Sequence, residues 1–289
     1  MTTLLDGKIV RDSMMGELKN KTSDLEKKLK LAILQVGDKE ESNTYIEQKK
    51  LFAEKIGAEV LHIRLTEDIA EEEVYAEIQK LNSDTSVHGI IIQLPLPENL
   101  DKNLIIQNID PIKDVDGLTS VNTKLLWNNE KGHVPATARG ILTLLDYYKI
   151  PIKGRRVVVV GRSQLVGKPV ALSFLNRGAI VIVCHRGTSS IMSETKQADI
   201  LVVAAGNPEF ITKDFVREGQ VVVDVGINVK KSEHQSEEIL HKKVVGDVNF
   251  AEVSPIVSAI SPVPGGVGPM TVLSLFQNLL DAYMMIEEK

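Results

Sequence analysis

Apolar positions along this chain switch repeatedly between a helical and a strand period. Between Ile9 and Leu29 the residues Val10, Met14, Leu18, Leu25 and Leu29 fall at helical spacing, and Leu31–Gly37 then reads as a buried strand. Residues Ser42–Ile56 read as a helix that stops at Gly57, where a glycine suits the left-handed end. A strand over Ala58–Leu65, a helix over Glu71–Asn82 and a strand over Val87–Leu94 follow, the last closed by Pro95 and Pro97. A helix over Thr137–Tyr148 leads into a second strand series at 157–161, 179–184, 199–206 and 220–227. These runs are rich in β-branched residues, which predicts strands covered on both faces. The stretch Lys230–Lys243 is charged and reads as a solvated loop or excursion, and Pro269–Glu288 as a long amphipathic helix.

Strands alternating with helices predict an α/β fold with parallel sheets and right-handed crossovers. A length of 289 residues favours two lobes. The change of series places a first lobe at 1–139 and a second at 140–269. The terminal helix, 270–289, is expected to return to the first lobe.

Composition narrows the classes of function. The net charge of −5 and an aromatic content of 4% give no basis for a nucleic-acid surface. A single cysteine, Cys184, excludes an intrachain disulfide and suits a reducing compartment. No apolar run approaches a bilayer-spanning length, and the first residues lack the pattern of a secretory signal, so a cytoplasmic protein without membrane attachment is expected. The histidines form no metal-ligand spacing, and no metal is expected.

The segment VVVVGRSQLVGKPVALSFLNRG orders a strand, a glycine turn and a helix as a nucleotide fold requires. Gly161 would make the turn, and Gly167 would open the helix whose N-terminus favours a pyrophosphate. Ser163 stands where the second glycine of the usual fingerprint would be, so an ordinary strand–helix turn remains the alternative. The next strand ends Val183-Cys184-His185-Arg186, without the acid that bonds a ribose 2′-hydroxyl in NAD-preferring folds. Arg186 and Arg162 instead suit a 2′-phosphate, which points to NADP. Two ordinary surface arginines are the alternative.

In the first half, Ser42, Tyr45 and Lys49 fall on one face of a helix. Gln93 follows three isoleucines near a strand end, at the carboxyl edge where open α/β sheets bind ligands. Asp114 and Asp116 precede Gly117, as either a metal site, for which no third or fourth ligand stands at suitable spacing, or an Asp-rich turn. Pro262–Pro269 holds three prolines and three glycines and opens the last helix, a rigid loop that a flat ligand could approach closely. Each of these features, taken singly, has an ordinary explanation: a solvated lysine, a strand-end amide, a turn.

Their joint order carries more. SxxYxxxK at Ser42–Lys49, GIIIQLPLP at Gly89–Pro97, KDVDG at Lys113–Gly117, GRSQLVGKP at Gly161–Pro169 and PGGVGPMT at Pro264–Thr271 together resemble the methylenetetrahydrofolate dehydrogenase/cyclohydrolase family. The resemblance runs from about Leu4 to the last helix. It implies a folate site in a cleft beside a Rossmann lobe, a homodimer, and two reactions on tetrahydrofolate derivatives. Methylenetetrahydrofolate would give a hydride to NADP+, and the methenyl product would be hydrolysed to 10-formyltetrahydrofolate. Lys49 would transfer protons, with Gln93 holding it. Tyr45 would lie against the p-aminobenzoate ring, and Asp116 would accept from the pterin. Ser42, Pro262, Val263 and Gly266 would complete the folate site. Thr137, Gly161, Arg162, Ser163, Gly167, Arg186, Gly206 and Ile227 would hold the cofactor. The family commonly has cysteine and a second proline where this chain has Ala136 and Ala138, a change expected to alter loop stiffness. The competing readings are a monofunctional NAD-dependent methylenetetrahydrofolate dehydrogenase, a shikimate- or amino-acid-type dehydrogenase, and a silent dinucleotide sensor.

Overall fold

The computed structural model describes residues 2–231 and 242–287. In chain order the elements are β1 (Thr3–Leu4), α1 (Gly7–Ser23), β2 (Lys30–Val36), α2 (Glu40–Ile56), β3 (Glu59–Leu65), α3 (Glu71–Ser83), β4 (Gly89–Gln93), α4 (Lys102–Gln107), α5 (Ser120–Asn128) and α6 (Ala136–Tyr147). They continue with β5 (Arg156–Val160), α7 (Gly167–Asn176), β6 (Ile180–Cys184), α8 (Ile191–Gln197), β7 (Ile200–Val203), β8 (Val221–Asp224), β9 (Asn228–Lys231), β10 (Lys242–Val245), α9 (Phe250–Val253), β11 (Ala259–Ile260) and α10 (Val267–Glu287).

The chain forms two compact units. One comprises Asp12–Ala136 with Val272–Lys289, around a parallel sheet ordered β3-β2-β4. Strand β2 is apolar and buried, as its central place requires, and α2 packs Ile46, Phe52 and Ile56 into the core. Gly57 ends α2 in the left-handed region at φ 77°, as the sequence led us to expect. The last helix does return to this unit: Phe276 meets Phe52 with ring centroids 5.2 Å apart, and Tyr283 meets His88 at 4.9 Å. It is buried around most of its circumference, polar Ser274 and Asn278 included, and so lacks the single apolar stripe expected of it.

The other unit comprises Met1–Arg11 with Thr137–Thr271, around a six-stranded sheet ordered β1-β11-β8-β7-β5-β6. All of its pairings are parallel. The valines of β5 and β7, with Val222 and Val223 of β8, are buried in the core of this unit. From β5 the chain passes to β6 on one side and then to β7 on the other. The carboxyl ends of β5 and β7 therefore form the switch point where such sheets bind ligands.

Three expectations are corrected. The first eleven residues belong with the six-stranded unit, because β1 adds beside β11 through Thr3 and Leu4; a two-residue strand has no readable period. Strand β6 is an edge strand with Ile180 59% and Val183 39% exposed, so its β-branched residues are not covered on both faces. The charged stretch Lys230–Lys243 begins and ends in an antiparallel hairpin, β9 with β10, rather than in loop; its residues 232–241 lie outside the described residues. Among the described residues no helix is long and apolar enough to cross a membrane.

Candidate active site

In the three-stranded unit, α2 carries Ser42, Tyr45 and Lys49 over the end of the sheet. Lys49 Nζ donates to Gln93 Oε1 at 2.8 Å, and Gln93 Nε2 donates to the carbonyl of Leu94 at 2.8 Å. The amide is thereby fixed in one orientation, its oxygen turned to the lysine. Burial pushes the Lys49 ammonium below the usual lysine range, while the charge of Asp116 pulls the other way. Burial raises the Asp116 carboxyl to about 6, with Lys49 opposing and Asp114 adding to the rise. A lysine and a carboxylate that feel each other's charge, both moved toward neutrality, are suited to exchanging protons. Tyr45 remains 37% exposed, and Ser42 is buried.

Asp116 owes its place to backbone packing. Gly117 turns at φ 71°, and a Cβ there would stand 2.8 Å from Pro135 N. Asn278, on α10, donates to the carbonyls of Val115 at 2.8 Å and Val134 at 2.9 Å, which pins this turn to the 133–135 segment. Asp114, the other acid of KDVDG, has a different task. It accepts from Leu118 N, Thr119 N and Asn122 Nδ2, and so closes the turn into α5. Lys113 is likewise spent on structure, donating to the carbonyls of Leu81, Asn82 and Asp84 near the end of α3. Among the described residues, no group of three or more His, Cys, Asp or Glu is placed to hold a metal ion.

The sequence reading missed a second glutamine. Gln35 is the register partner of Gln93 on β2, and its side chain donates to Asn43 Oδ1 at 2.9 Å and bonds His62 Nε2 at 2.8 Å. Paired glutamines thus fasten α2 to the sheet, one through Asn43 and one through Lys49. A buried polar residue in the otherwise apolar LAILQV was the available signal.

In the six-stranded unit, Gly161 follows β5 at φ 128°, and a Cβ there would collide with the carbonyl of Ala204. Its N–H donates to the Cys184 carbonyl at 2.8 Å, which joins the ends of β5 and β6. Arg162 and Arg186 follow these neighbouring ends, and both are exposed. Gly167 lies so close to the Gly161 carbonyl that a side chain would not fit. Ser163 Oγ accepts from Val166 N at 3.2 Å and Gly167 N at 3.3 Å, so the serine closes the turn that leads into α7. Gly206 follows β7 at φ 63°, and Ile227 follows β8, 52% exposed. Thr137 sits in the first turn of α6, 3.5 Å from the Thr271 hydroxyl. Its neighbours Ala136 and Ala138 are buried within that helix, so the substitutions fall in a packed helical turn and not in a loop whose stiffness they could set. Pro262, Val263 and Gly266 belong to this unit, where the Gly266 N–H closes on the Pro262 carbonyl at 2.8 Å.

Comparison with known proteins extends this picture. Residues 135–287 match the family model described as tetrahydrofolate dehydrogenase/cyclohydrolase, NAD(P)-binding domain, and residues 5–116 match the catalytic domain of the same name. The chain is 48% identical over 286 residues to the bifunctional protein FolD of Acholeplasma laidlawii, covering 99% of this chain and 100% of that one. Among solved structures it resembles the bifunctional methylenetetrahydrofolate dehydrogenase/cyclohydrolase of Campylobacter jejuni at 42% identity and a TM-score of 0.92, covering 98% of each chain. It also resembles the methylenetetrahydrofolate dehydrogenase-cyclohydrolase of Trypanosoma brucei, solved with NADP and an inhibitor, at 32% identity and a TM-score of 0.94, covering 100% of this chain and 99% of that one. The paired lysine and glutamine, the raised carboxyl of KDVDG and the glycine turn at the switch point lie in matched segments, and the chain belongs to the tetrahydrofolate dehydrogenase/cyclohydrolase family.

Proposed function

We infer that this protein oxidises 5,10-methylenetetrahydrofolate to the methenyl compound with NADP+ and hydrolyses that product to 10-formyltetrahydrofolate. The observation that carries the reading is the Lys49–Gln93 hydrogen bond beside a carboxyl raised to about 6. A dehydrogenase alone, or a dinucleotide sensor, has no use for a buried lysine held ready to exchange a proton. The relatives matching nearly the full length are named bifunctional, which further disfavours a monofunctional NAD-dependent enzyme.

NADP+, when bound, accepts the hydride; the protein's part in that step is to hold donor carbon and acceptor ring in register. In the hydrolysis, water adds to the cationic methenyl carbon and a ring nitrogen leaves. Lys49, its pKa lowered by burial, takes a proton from the attacking water; as the carbon–nitrogen bond breaks, the resulting ammonium returns that proton to the departing nitrogen, and the second water proton leaves the new carbonyl oxygen for solvent. Gln93 keeps the ammonium from swinging away, and the substrate's own positive charge favours the neutral amine. Asp116 receives the pterin N–H donors, and the partly exposed Tyr45 suits the p-aminobenzoate ring. Arg162 and Arg186 suit the 2′-phosphate that separates NADP from NAD.

Two further readings accompany this one. Strand β6 leaves apolar side chains and unpaired backbone groups at the sheet edge, and pairing with a second copy would cover both, which supports a homodimer through the dinucleotide unit. The single buried thiol, Cys184, is in keeping with a cytoplasmic setting. The function is tested by supplying methylenetetrahydrofolate with NADP+ or NAD+ and following both products. Turnover favouring NADP+ with 10-formyltetrahydrofolate accumulating is expected. A stable methenyl product formed equally well with NAD+ would refute the reading.

A further inference from the structure

Two carboxylates lie buried in the six-stranded unit, and neither was given a role above. Asp224 ends β8 and Asp247 follows β10, and they are 3% and 0% exposed. No cation pairs with Asp247 among the described residues; it is surrounded by N–H donors. Its Oδ2 accepts from Ala205 N at 2.7 Å and Gly206 N at 2.8 Å, and its Oδ1 accepts from Asn207 N at 2.9 Å and Asn228 Nδ2 at 2.8 Å. Asp224 seats it from behind, accepting from Asp247 N at 3.0 Å, Val248 N at 2.9 Å and Gly226 N at 2.9 Å. Space for both carboxylates comes from two glycines. A Cβ on Gly226 would run into Asp247, and one on Gly246 into Asp224.

Three successive N–H groups converging on one point make an anion nest, a device proteins often use to hold phosphate. Here the chain fills its own nest with a carboxylate. A cofactor phosphate therefore does not bind at those amides; they serve to fix the loop after β7, with Gly206 at φ 63°. The fourth donor, Asn228, adjoins Ile227, so the same carboxylate also holds the segment after β8. We propose that Asp247 is a positioning residue for the dehydrogenase reaction, clamping the loops that carry Gly206 and Ile227 into the shape that receives the dinucleotide. This rests on the reading that those two residues meet the cofactor.

An asparagine at 247 keeps one acceptor oxygen and turns an NH2 group toward N–H donors, leaving two of the four donors unmet. Charge-assisted hydrogen bonds of this kind are strong enough that Asp247→Asn should raise the KM for NADP+ about tenfold or more. The kcat at saturating NADP+ should change less, and cyclohydrolase turnover, which needs no dinucleotide, should stay near wild type. A merely structural residue would lower the melting temperature and the active fraction while leaving KM alone. Asn228→Ala removes a single donor and should give a smaller rise in KM, in a variant that keeps the buried carboxylate. Amide NMR shifts of Gly206 and Ile227 on titrating wild-type protein with NADP+ check the underlying assignment. Shifts at both, with raised KM in both variants, support the clamp. Shifts at both with wild-type KM in the variants overturn it and leave the cofactor assignment standing. Absence of shifts in the wild type removes the assignment, and the clamp with it.

Discussion

The two units solve different problems with different parts of the chain. In the three-stranded unit the proposed chemistry rests on side chains from three separate segments: a lysine and a glutamine joined by a hydrogen bond, and an aspartate coupled to the lysine by charge. In the six-stranded unit the proposed cofactor surface is mostly backbone. Gly161, Gly167 and Gly206 bring the main chain to the strand ends, and buried carboxylates hold that main chain still. Proton transfer needs titratable groups with adjusted pKa values, whereas a hydride moves between two organic molecules and needs only that they be aligned. Substitutions in the two units should therefore damage different reactions.

The largest separation is expected from Lys49→Met. Losing a positioned general acid–base group costs roughly 10²- to 10⁴-fold. Cyclohydrolase turnover should fall by that much, with NADPH formation far less affected in a stopped assay of both products. Gly161→Ala should do the reverse. Its φ of 128° and the carbonyl of Ala204 leave no room for a methyl group, so the loop must shift. A misplacement of that order costs about 10²-fold in catalysis, read as dehydrogenase kcat/KM with methenyl hydrolysis retained. Arg186→Ala should raise the KM for NADP+ roughly 10- to 100-fold, the worth of charge-assisted hydrogen bonds to a phosphate, and leave the KM for NAD+ unchanged. An equal loss with both cofactors would remove Arg186 from 2′-phosphate recognition.

The smallest effect is in the pH dependence of folate binding. Burial holds the Asp116 carboxyl at about 6, above its ordinary 3.8, so the free protein disfavours the ionised form. Stability of this unit should accordingly decline as pH rises from about 4 to 6. Pterin donors favour the carboxylate, so substrate affinity should rise with pH up to about 6 and then level, weakening about tenfold per unit below it. Calorimetric titration from pH 5 to 8 measures this, and Asp116→Asn should flatten the curve.

What could be read from the sequence was whatever local order encodes. The strand β2, the helix α2 with its glycine stop, and the strand–turn–helix at Gly161 each show a period or a breaker within a few residues. Tyr45, Lys49, Gln93 and Asp116 were identified by their order along the chain, and the structure joins Lys49 to Gln93 by a hydrogen bond and couples it to Asp116 by charge. The features that went unread are set by distant partners. Strand β1 exists because β11 stands beside it, across more than 250 residues. Strand β6 has the same β-branched pattern as its buried neighbours, and only the sheet order exposes it. Asp247 finds its backbone donors about 40 residues earlier in the chain, and Asn278 finds the Asp116 turn from the far end of the chain. Such residues look like ordinary polar positions until the backbone groups they satisfy are known.

The division of labour is tested most directly by mixing the two disabled proteins. Lys49→Met alone, given methylenetetrahydrofolate and NADP+, should stop at the methenyl compound, and Gly161→Ala alone should form little NADPH. Combined in one tube, they should yield 10-formyltetrahydrofolate well above the uncatalysed rate, because the methenyl product diffuses from one protein to the other. A mixture that stays inactive, though each protein is folded, would contradict the assignment of the two reactions to separate sets of residues.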